Sequence, residues 1–496
     1  MLNYKESLPI WLMDLSQILI TACEEIYLVG GAIRDLLGGR EIDDYDFVVK
    51  KNAIDAARLT ANHLQGDFYI LDYQRQTARA IILFKNKYLR IDFALFNGKD
   101  IIEDLTRRDF TINAMALRLP VDNDLIDPTG GLKDLKEELL KPCSDSAFID
   151  DPVRTIRFVR FLQEMELQAD PSIEKLVKEA APLLGQVSKE RQRDALLDVI
   201  SVANSRDAFN YMLKIGLISE LFPAAEHLSE VKLSFPHTYN AWDHTMQVIY
   251  YCQQLMAMLG IAPPLGDYHP RLIDAINRLG RHLEHLQLFF CQNFSSGRTK
   301  YQLLILSAFF HDLAKGLVEQ QQIEDRMKYP GHAKRGAKLV RDWSKDVNLS
   351  NLEGDYLYSS VRMHMKVSRL ELNNQAEKNV SIFRFFKRAG EAGVITALLH
   401  LADVLTTYEQ AITDDRWDEA VSAADIIFDA YFFRFDSLIN PIPLVNGREL
   451  MRIFNLQPGK HIGDFLEALR EEQVSDKIHN RQQALAFLQK QISQEK

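Results

Sequence analysis

The feature that most limits how this chain can fold is a change in its hydrophobic pattern between about residues 120 and 150. Before the change, short apolar runs indicate strands and one helical spacing, over 53–64, separates them. The strand-like runs cover residues 27–29, 45–49, 78–84 and 88–96, with the last two joined by a hairpin turn at Lys85-Asn86-Lys87. After the change, amphipathic helical patterns dominate. The sequence therefore predicts an α+β protein, with a small mixed-sheet head followed by mostly helical regions.

Composition excludes some classes of protein. At 496 residues the chain is too long for one ordinary core, and no run of 18 apolar residues indicates a membrane span. The four cysteines are far apart and form no CxxC pair, which fits the reducing cytoplasm better than a disulfide framework. The net charge of −10 disfavours non-specific attraction to nucleic acid, so an RNA-binding function needs a local basic surface.

The first chemical motif is a strand that runs into two glycines and then a helix, over residues 28–35. Gly30 and Gly31 would let a phosphate approach the backbone closely, and Arg34 follows on the helix. A glycine pair between a strand and a helix is also common for packing reasons alone. The motif by itself is therefore weak evidence.

The second motif is an acidic strand that follows the first motif closely. Asp44 and Asp46 are two residues apart, so on a strand they face the same side, while Asp43 faces away. Two neighbouring carboxylates repel each other unless a cation lies between them, and Mg²⁺ prefers such hard oxygen ligands. The alternative is an acidic turn ahead of a core strand. Because the glycine motif precedes it, we favour a magnesium site that binds phosphates.

These stretches resemble the first signature of class II tRNA nucleotidyltransferases and bacterial poly(A) polymerases, members of the DNA polymerase beta superfamily. Four later stretches agree in order: RRDFTINAMA at 107–116, DPTGGLKDL at 127–135, DDPVR with IRFVRF at 150–161, and Glu190-Arg191. The ten-residue match is highly specific. The resemblance covers roughly residues 26–200.

The resemblance implies a function and a set of site residues. It implies addition of nucleotides from CTP and ATP to the 3′ end of tRNA, with Mg²⁺ as the cofactor in the head. Asp44 and Asp46 correspond to catalytic metal ligands, and Asp92 lies where the family often has a third acidic residue. The implied nucleotide-binding residues are Gly30, Gly31, Arg34, Arg108, Asp109, Asn113, Asp151, Arg154 and Arg157.

Asp151 and Arg154 match the family's amino-acid template, which selects the base. They are three residues apart, one helical turn, so their side chains are expected to share a face. A carboxylate only accepts hydrogen bonds and a guanidinium only donates them, so the pair can complement the edges of cytosine and adenine. The chain has Asp150 where the family usually has Glu.

One departure from the family bears on the product. In CCA-adding members a flexible loop separates the strand after the metal site from the second signature. Here only residues 97–100 lie between the apolar run ending at Phe96 and the helical pattern that begins at Ile101. The shortening resembles enzymes that add two cytidines and leave the terminal adenosine to a separate enzyme. The sequence leaves both CC and CCA open, and leans towards CC.

A second constellation follows the order of an HD phosphohydrolase domain. The expected metal ligands are His244, His311, Asp312, His332, His364 and Asp403. Imidazole suits transition metals, and carboxylates also accept Mg²⁺ or Mn²⁺. A metal here could activate water against phosphate esters, for example at damaged RNA ends, although some HD domains are structural.

We therefore expect four parts and weigh three rivals. The parts are a nucleotidyltransferase head at 1–140, a helical neck at 141–230, an HD domain at 231–438 and a tRNA-binding tail at 439–496. The tail assignment depends on two glycine-containing segments near residues 443–450 and 457–463. The rivals are a poly(A) polymerase, an HD hydrolase whose head only binds RNA, and a non-catalytic RNA-binding scaffold. The protein is expected in the cytoplasm, without a membrane partner.

Overall fold

The computed structural model describes residues 7–42, 44–85, 87–121, 124–324, 326–370 and 374–495. The chain forms two compact units. The first comprises Met1–Ser188 and Lys214–Glu220, and the second comprises Lys189–Leu213 and Leu221–Lys496.

A seven-stranded mixed sheet forms the centre of the first unit. Its strands in chain order are β1 (Ile26–Val29), β2 (Asp44–Val49), β3 (Asp67–Asp72), β4 (Thr77–Phe84), β5 (Lys87–Leu95), β6 (Ala116–Leu119) and β7 (Leu125–Ile126). Their order across the sheet is β3-β4-β5-β2-β1-β6-β7. Only β2 and β5 run parallel, and all other neighbours are antiparallel. This mixed sheet confirms the predicted α+β class.

Eight α-helices accompany the sheet in the described part of this unit. They are α1 (Ile10–Cys23), α2 (Gly31–Leu37), α3 (Ala53–Leu64), α4 (Ile101–Thr106), α5 (Gly131–Lys136), α6 (Ala147–Asp150), α7 (Arg154–Glu164) and α8 (Pro171–Ala180). Helices α1 and α3 pack against one face of the sheet and close the main core. The opposite face carries the polar side chains of β2 and β5, which leaves them accessible for chemistry.

The second unit is almost entirely helical. Its helices, together with two that cross its boundary, are α9 (Lys189–Ile200), α10 (Ser205–Lys214), α11 (Leu217–Leu221), α12 (Ala241–Met258), α13 (Pro270–Arg278), α14 (Leu283–Cys291), α15 (Lys300–Phe310), α16 (His332–Asp346), α17 (Asn351–Met363), α18 (Gln375–Ala389), α19 (Ala392–Tyr408), α20 (Asp414–Phe433), α21 (Gly447–Phe454), α22 (Lys460–Val474) and α23 (Arg481–Glu495). A two-stranded ribbon, β8 (Gln321–Ile323) and β9 (Arg326–Lys328), precedes α16. The last three helices enclose their own apolar cluster, which includes Leu450, Phe465 and Leu488.

Most of the predicted local elements are present. Strands β1, β2, β4 and β5 and the helix over 53–64 match the sequence patterns. Phe84 pairs with Lys87, as the predicted hairpin requires, although Asn86 itself lies outside the described residues. Strands β3, β6 and β7, and the ribbon of β8 and β9, were not predicted.

By length and composition, no single described helix is long and apolar enough to cross a membrane. One pair, Gln375–Ala389 with Ala392–Ala411, passes that test only when taken together, and it is bent by 106°.

Candidate functional sites

The glycine turn lies where three sequence motifs meet. Gly30 joins β1 to α2 with a φ of +72°, a conformation that side chains rarely adopt. A Cβ atom at Gly30 would lie 3.2 Å from Nη1 of Arg108 and 3.5 Å from Oδ2 of Asp46. The turn therefore leaves a space, bordered by a guanidinium and a carboxylate, that any larger residue would fill.

The predicted carboxylates share one face of the sheet. Asp44 and Asp46 lie on the same side of β2, while Tyr45 between them is buried on the other side. In the parallel pairing of β2 with β5, Asp46 stands opposite Asp92. Burial raises the pKa of Asp46, and the negative charges of Asp92 and Asp44 raise it further.

Guanidinium groups balance part of this negative charge. Arg79 donates from Nε and Nη2 to the two oxygens of Asp92 at 2.7 and 2.8 Å, and Arg90 lies 3.8 Å from Asp44. Oxygens of Asp44, Asp46 and Asp92 do not all lie within 4.8 Å of one another. Crowded carboxylates beside an open glycine turn suit a divalent cation at Asp44 and Asp46. Asp92, with both oxygens held by Arg79, fits that function less well.

A connected chain of polar side chains runs behind the turn. Arg34 Nη1 donates to Asn113 at 2.9 Å, and Asn113 donates to Asp109 at 3.2 Å. Asp109 in turn forms an ion pair with Arg157 at 2.6 Å. Arg34, Asn113 and Asp109 are buried, so each side chain is held in place by the next. The structure thus brings together four of the predicted nucleotide-binding residues.

The two template residues lie close together, but not as predicted. Helix α7 begins at Arg154, and Asp151 precedes it in an extended conformation, with φ −146° and ψ 94°. The expectation of one helical turn was wrong because Pro152 follows Asp151, and a residue before proline avoids the helical conformation. Asp151 Oδ2 nevertheless lies 4.0 Å from Nε of Arg154.

Backbone carbonyl groups anchor the template arginine. Its Nη2 donates to the carbonyl of Arg107 at 2.9 Å, and its Nη1 donates to those of Arg108 and Ala147 at 3.2 and 3.3 Å. The guanidinium of Arg154 is therefore tied to the segment that carries the second signature.

The shortened connection after β5 is an ordered, hydrogen-bonded segment. Asp104 is buried and accepts from the backbone N–H of Asn97 at 2.8 Å and from Nε of Arg108 at 3.0 Å. Arg107 donates to the carbonyl of Asn97 at 3.2 Å, which closes the segment from the other side. Asp100 caps α4 by accepting from Glu103 N at 2.9 Å. We use the name short connection for residues 97–108, which comprise the four-residue loop 97–100, helix α4 and the first two residues of the second signature.

The DPTGGLKDL stretch packs against the second signature. A Cβ atom at Gly131 would lie 2.0 Å from the carbonyl oxygen of Thr111, so only glycine fits there. Asp127 accepts from the backbone N–H of Gly131 at 2.7 Å, and Thr111 donates to Asp134 at 2.8 Å. Glu190, at the start of α9, belongs to the second unit, where it accepts from Asn348. Its predicted support of the template stays a prediction.

The predicted HD residues come together in the second unit. They lie on or beside five helices: His244 on α12, His311 and Asp312 after α15, His332 at the start of α16, His364 after α17 and Asp403 on α19. Nε2 of His244 lies 3.0 Å from Asp403 and 3.7 Å from Asp312. On its other side, Asp312 lies 3.3 Å from Nε2 of His332.

Three of the histidines are oriented in the same way. Nδ1 donates to the carbonyl group three residues earlier at 2.6 Å in His311, 2.8 Å in His332 and 2.8 Å in His364. Because a carbonyl group only accepts, Nδ1 carries a proton, and Nε2, the atom that faces the cluster, is the metal-binding nitrogen of the neutral ring. Nε2 of His332 and Nε2 of His364 are 3.5 Å apart, a separation at which two lone pairs repel each other.

This arrangement fits divalent metal ions. Two groups of ligand atoms, each within 4.8 Å, share Asp312: one with His244 and His311, and one with His332 and His364. Nε2 of His311 is buried without a hydrogen-bond partner. Burial lowers the pKa of His364 to about 4, which keeps its imidazole neutral and able to bind a metal near neutral pH.

Three residues of this region were not identified from the sequence. The His237 ring lies 5.0 Å from the His244 ring, and burial lowers its pKa to about 4. Lys315 contacts Asp312 at 2.6 Å, and the buried His400 precedes Asp403 by one helical turn. Lys315 and His400 lie three residues from Asp312 and Asp403, a spacing that could have identified them. The position of His237 depends on contacts that are distant in sequence.

The tail motif forms a helix cap. Asn446 accepts from the backbone N–H of Glu449 at 3.0 Å, and Glu449 in return accepts from the N–H of Asn446 at 3.2 Å. Leu450 is buried in the cluster of the last three helices. Helix capping and packing thus explain the motif without a ligand, and tRNA binding by the tail stays a prediction.

Four family models match the chain and together cover most of it. The poly A polymerase head domain matches residues 26–141, and the RNA- and SrmB-binding site of polymerase A matches 166–228. The HD domain matches 241–408, and tRNA nucleotidyltransferase domain 2 matches 359–488.

Curated relatives resemble the chain over nearly its full length. It is 27% identical to the CC-adding tRNA nucleotidyltransferase of Geobacter sulfurreducens, over 94% of this chain and 91% of the relative. It is 26% identical to the A-adding tRNA nucleotidyltransferase of Deinococcus radiodurans, over 93% of this chain and 94% of the relative.

Solved structures share the fold. A CCA-adding enzyme in complex with ATP aligns with a TM-score of 0.58 and 21% identity, over 98% of this chain and 97% of its own. The Thermotoga maritima CCA-adding enzyme in complex with tRNA aligns with a TM-score of 0.53 and 21% identity, over 98% and 97%. Together with the two sets of motifs, the family models and the curated relatives show that the chain belongs to the family of tRNA nucleotidyltransferases and bacterial poly(A) polymerases and contains an HD domain.

Proposed function

We propose that the first unit adds nucleotides from CTP, or ATP, to the 3′ end of tRNA without a nucleic-acid template. The observation that carries this proposal is the meeting of Gly30, Asp46 and Arg108 around an open turn. Full-length relatives named as tRNA nucleotidyltransferases support the choice of tRNA as substrate.

Each group of site residues has a proposed function that follows from its chemistry. Mg²⁺ ions held by Asp44 and Asp46 would neutralise the triphosphate and polarise the attacking 3′-hydroxyl group. Gly30 leaves the backbone free for close approach of a phosphate, and the cationic Arg108 borders the same space. Asp109 and Asn113, held rigidly by their hydrogen bonds, present polar atoms for the sugar.

We propose CC as the product, because the template cannot easily reorient. Arg154 donates to the carbonyl groups of Arg107 and Arg108, and both residues belong to the short connection. Asp104 and Asn97 fix that segment internally. A change of base from cytosine to adenine needs a different arrangement of donors and acceptors. A template tethered to an ordered segment would keep one arrangement and stop after two cytidines.

The names of the relatives alone do not decide the product. CC-adding enzymes of Geobacter sulfurreducens and Synechocystis are 27% identical to the chain, and the A-adding enzyme of Deinococcus radiodurans is 26% identical. We therefore infer CC addition from the short connection, with a separate A-adding enzyme acting downstream. Four free thiols agree with a cytoplasmic location.

A substitution of Asp46 tests the site. Asp46→Asn removes one charge with little change in shape, and incorporation of labelled CTP into a tRNA transcript without CCA should fall by at least about 10³-fold. Asp67→Asn, on the exposed start of β3, is the matched control and should retain activity. Full activity of Asp46→Asn with unchanged thermal unfolding would refute the proposed site.

We propose a second function, metal-dependent hydrolysis of phosphate esters, for the HD cluster. The observation in its favour is that three histidines turn their Nε2 atoms towards Asp312, with Nδ1 atoms held by backbone carbonyl groups. A divalent metal ion, Mg²⁺, Mn²⁺ or a transition metal, would supply activated water there. Asp403 and Asp312 would fix its position together with His244.

Metal content and hydrolysis test the second function together. After dialysis against Mn²⁺, the wild-type protein should retain metal and hydrolyse a generic phosphodiester, whereas Asp312→Asn should lose both. Asp415→Asn, on the exposed first turn of α20, should behave as wild type. Metal retention by Asp312→Asn equal to wild type would contradict the assignment.

A further inference from the structure

A cavity of about 770 Å³ opens beside the HD cluster, within the second unit. His332 and His237 form one wall, and strand β9 and the end of α17 contribute others. Its volume lies in the range of small-molecule and nucleotide sites. The cavity is therefore large enough for a substrate whose reacting group faces the metal ligands.

Unpaired positive charge is the unusual property of this cavity. Five basic side chains that line it form no ion pair with another residue in the described part of the chain: Arg326, Lys328, Lys334, Arg362 and Lys366. A sixth, Lys315, is paired with Asp312 at 2.6 Å. The described residues that line the cavity include no carboxylate. This concentration occurs in a chain whose net charge is −10.

Such a group of cations implies an anionic ligand. Like charges around one cavity repel each other and destabilise the fold unless an anion offsets them. A single phosphate carries at most two charges, fewer than the five unpaired cations offer. A strand of RNA spreads its charges along its length, whereas this cavity gathers its cations around a compact space. Several phosphates in direct succession match it best.

The cavity also has an apolar side. Phe235, Pro236, Met327 and Met365 contribute to its lining, and Phe235 is 73% exposed although it is a large apolar residue. An aromatic ring next to a cationic pocket is suited to stack against a base. We infer that the ligand carries a base in addition to its phosphates.

We propose that this cavity binds a nucleoside polyphosphate, with its phosphate chain held by the five basic residues and its terminal phosphate directed towards His332. The proposal names the substrate class of the second proposed function, and it rests on that function only for the chemistry after binding. The recognition itself needs no metal ion.

Lysine footprinting tests the binding and separates it from nucleotide binding in the first unit. The full-length protein in EDTA is treated with an amine-reactive reagent, and labelling of Lys328, Lys334 and Lys366 is measured by peptide mass spectrometry. Saturating ATP should lower their labelling about fivefold, because occupied sites are shielded by mass action. Lys345, exposed near the other end of α16, is the internal control and should not change.

Further ligands and a variant complete the test. Tripolyphosphate should also protect the three lysines. Stronger protection by ATP than by tripolyphosphate would identify the contribution of the base. Equal protection by the two would identify free polyphosphate as the ligand. Lys328→Gln combined with Arg362→Gln should abolish the protection of Lys334 and Lys366. Absence of protection by ATP and tripolyphosphate would overturn the proposal, and so would equal protection by AMP or by an oligoribonucleotide with a 3′-phosphate. Because EDTA removes the metal, failure here is distinct from failure of hydrolysis.

Discussion

Gly30 and Gly39 both have a positive φ angle, but their surroundings are very different. Their φ angles are +72° and +65°. A Cβ atom at Gly30 would approach Arg108 and Asp46, whereas one at Gly39 would meet nothing within 4 Å. Gly39 therefore serves as a control position, where alanine is also placed at positive φ but its methyl group meets no neighbour.

Gly30→Ala should lose nucleotide addition much more than it loses stability. Both Gly30→Ala and Gly39→Ala should lower the free energy of unfolding by at least about 1 kcal/mol, because alanine is strained at positive φ. The loss should be larger at Gly30, whose ψ of −136° lies outside the left-handed helical region. Only Gly30→Ala should also reduce kcat/KM for CTP, by at least about tenfold, since its methyl group occupies the phosphate space. Equal activity losses in the two variants would contradict the function assigned to Gly30.

His400 makes the stability of the second unit depend on pH. It is buried on α19, and burial lowers its pKa to about 4. Between pH 4 and 6.5 the unfolded chain binds a proton at this residue and the folded chain does not, so stability falls as the pH falls. At pH 5 the loss from one such histidine is about 2 kcal/mol.

The variant His400→Gln should weaken this dependence. Without metal, the difference in free energy of unfolding between pH 7 and pH 5 should shrink by about 2 kcal/mol relative to wild type. His479→Gln, at an exposed histidine, should leave the difference unchanged. If His400→Gln leaves the pH dependence of the free energy of unfolding unchanged, other groups titrate in this range.

At the scale of elements, the short connection acts as a support for the template. Asp104 is buried and holds both ends of the segment, through the N–H of Asn97 and the side chain of Arg108. Arg154 rests on the carbonyl groups at the end of the segment. Loosening the segment should therefore loosen the template.

Asp104→Asn should make nucleotide addition less strictly limited to CC. The substitution removes a charged acceptor from a buried position and should lower stability by about 1–3 kcal/mol. We expect the rate of adding A to a CC-ended transcript, relative to adding C to a C-ended one, to rise several-fold. Lys99→Gln, which changes only an exposed side chain of the same segment, is the control. An unchanged ratio would mean that the segment does not restrain the template.

Local patterns were enough to predict the elements that carry the head site. The strand, glycine turn and helix of the first motif, and the acidic strand of the second, are set by residues within a few positions of each other. Strand β3 was not predicted because it is an edge strand whose apolar residues, such as Tyr69 and Leu71, remain exposed. An apolar run that buries neither face lacks the alternation by which a strand is predicted.

Long-range pairing could not be read from the sequence. Asp46 meets Asp92 only because β2 and β5 run parallel, with α3, β3 and β4 between them in the chain. The carbonyl partners of the three Nδ1 atoms depend on how each histidine ends or begins its helix. The order of ligand types predicted the HD cluster, but not its orientation or the basic cavity beside it.

At the scale of the whole molecule, each compact unit contains its own set of chemical groups. The glycine turn, the carboxylates and the template belong to the first unit, and the His/Asp cluster with its basic cavity belongs to the second. Both sets contain carboxylates and arginines, but only the second adds imidazoles and lysines. We therefore assign nucleotide addition to the first unit and phosphate hydrolysis to the second.

The most direct test of the central claim is the sequence of the 3′ ends that the purified protein makes. Transcripts of tRNA that end before CCA, after C and after CC would be incubated with CTP and ATP together. We expect the transcripts that end before CCA and after C to be extended to CC, and the transcript that ends after CC to receive no addition. Completion to CCA would contradict the tethered template, long A tails would place the protein with the poly(A) polymerases, and no addition to any transcript would refute nucleotide transfer by the first unit.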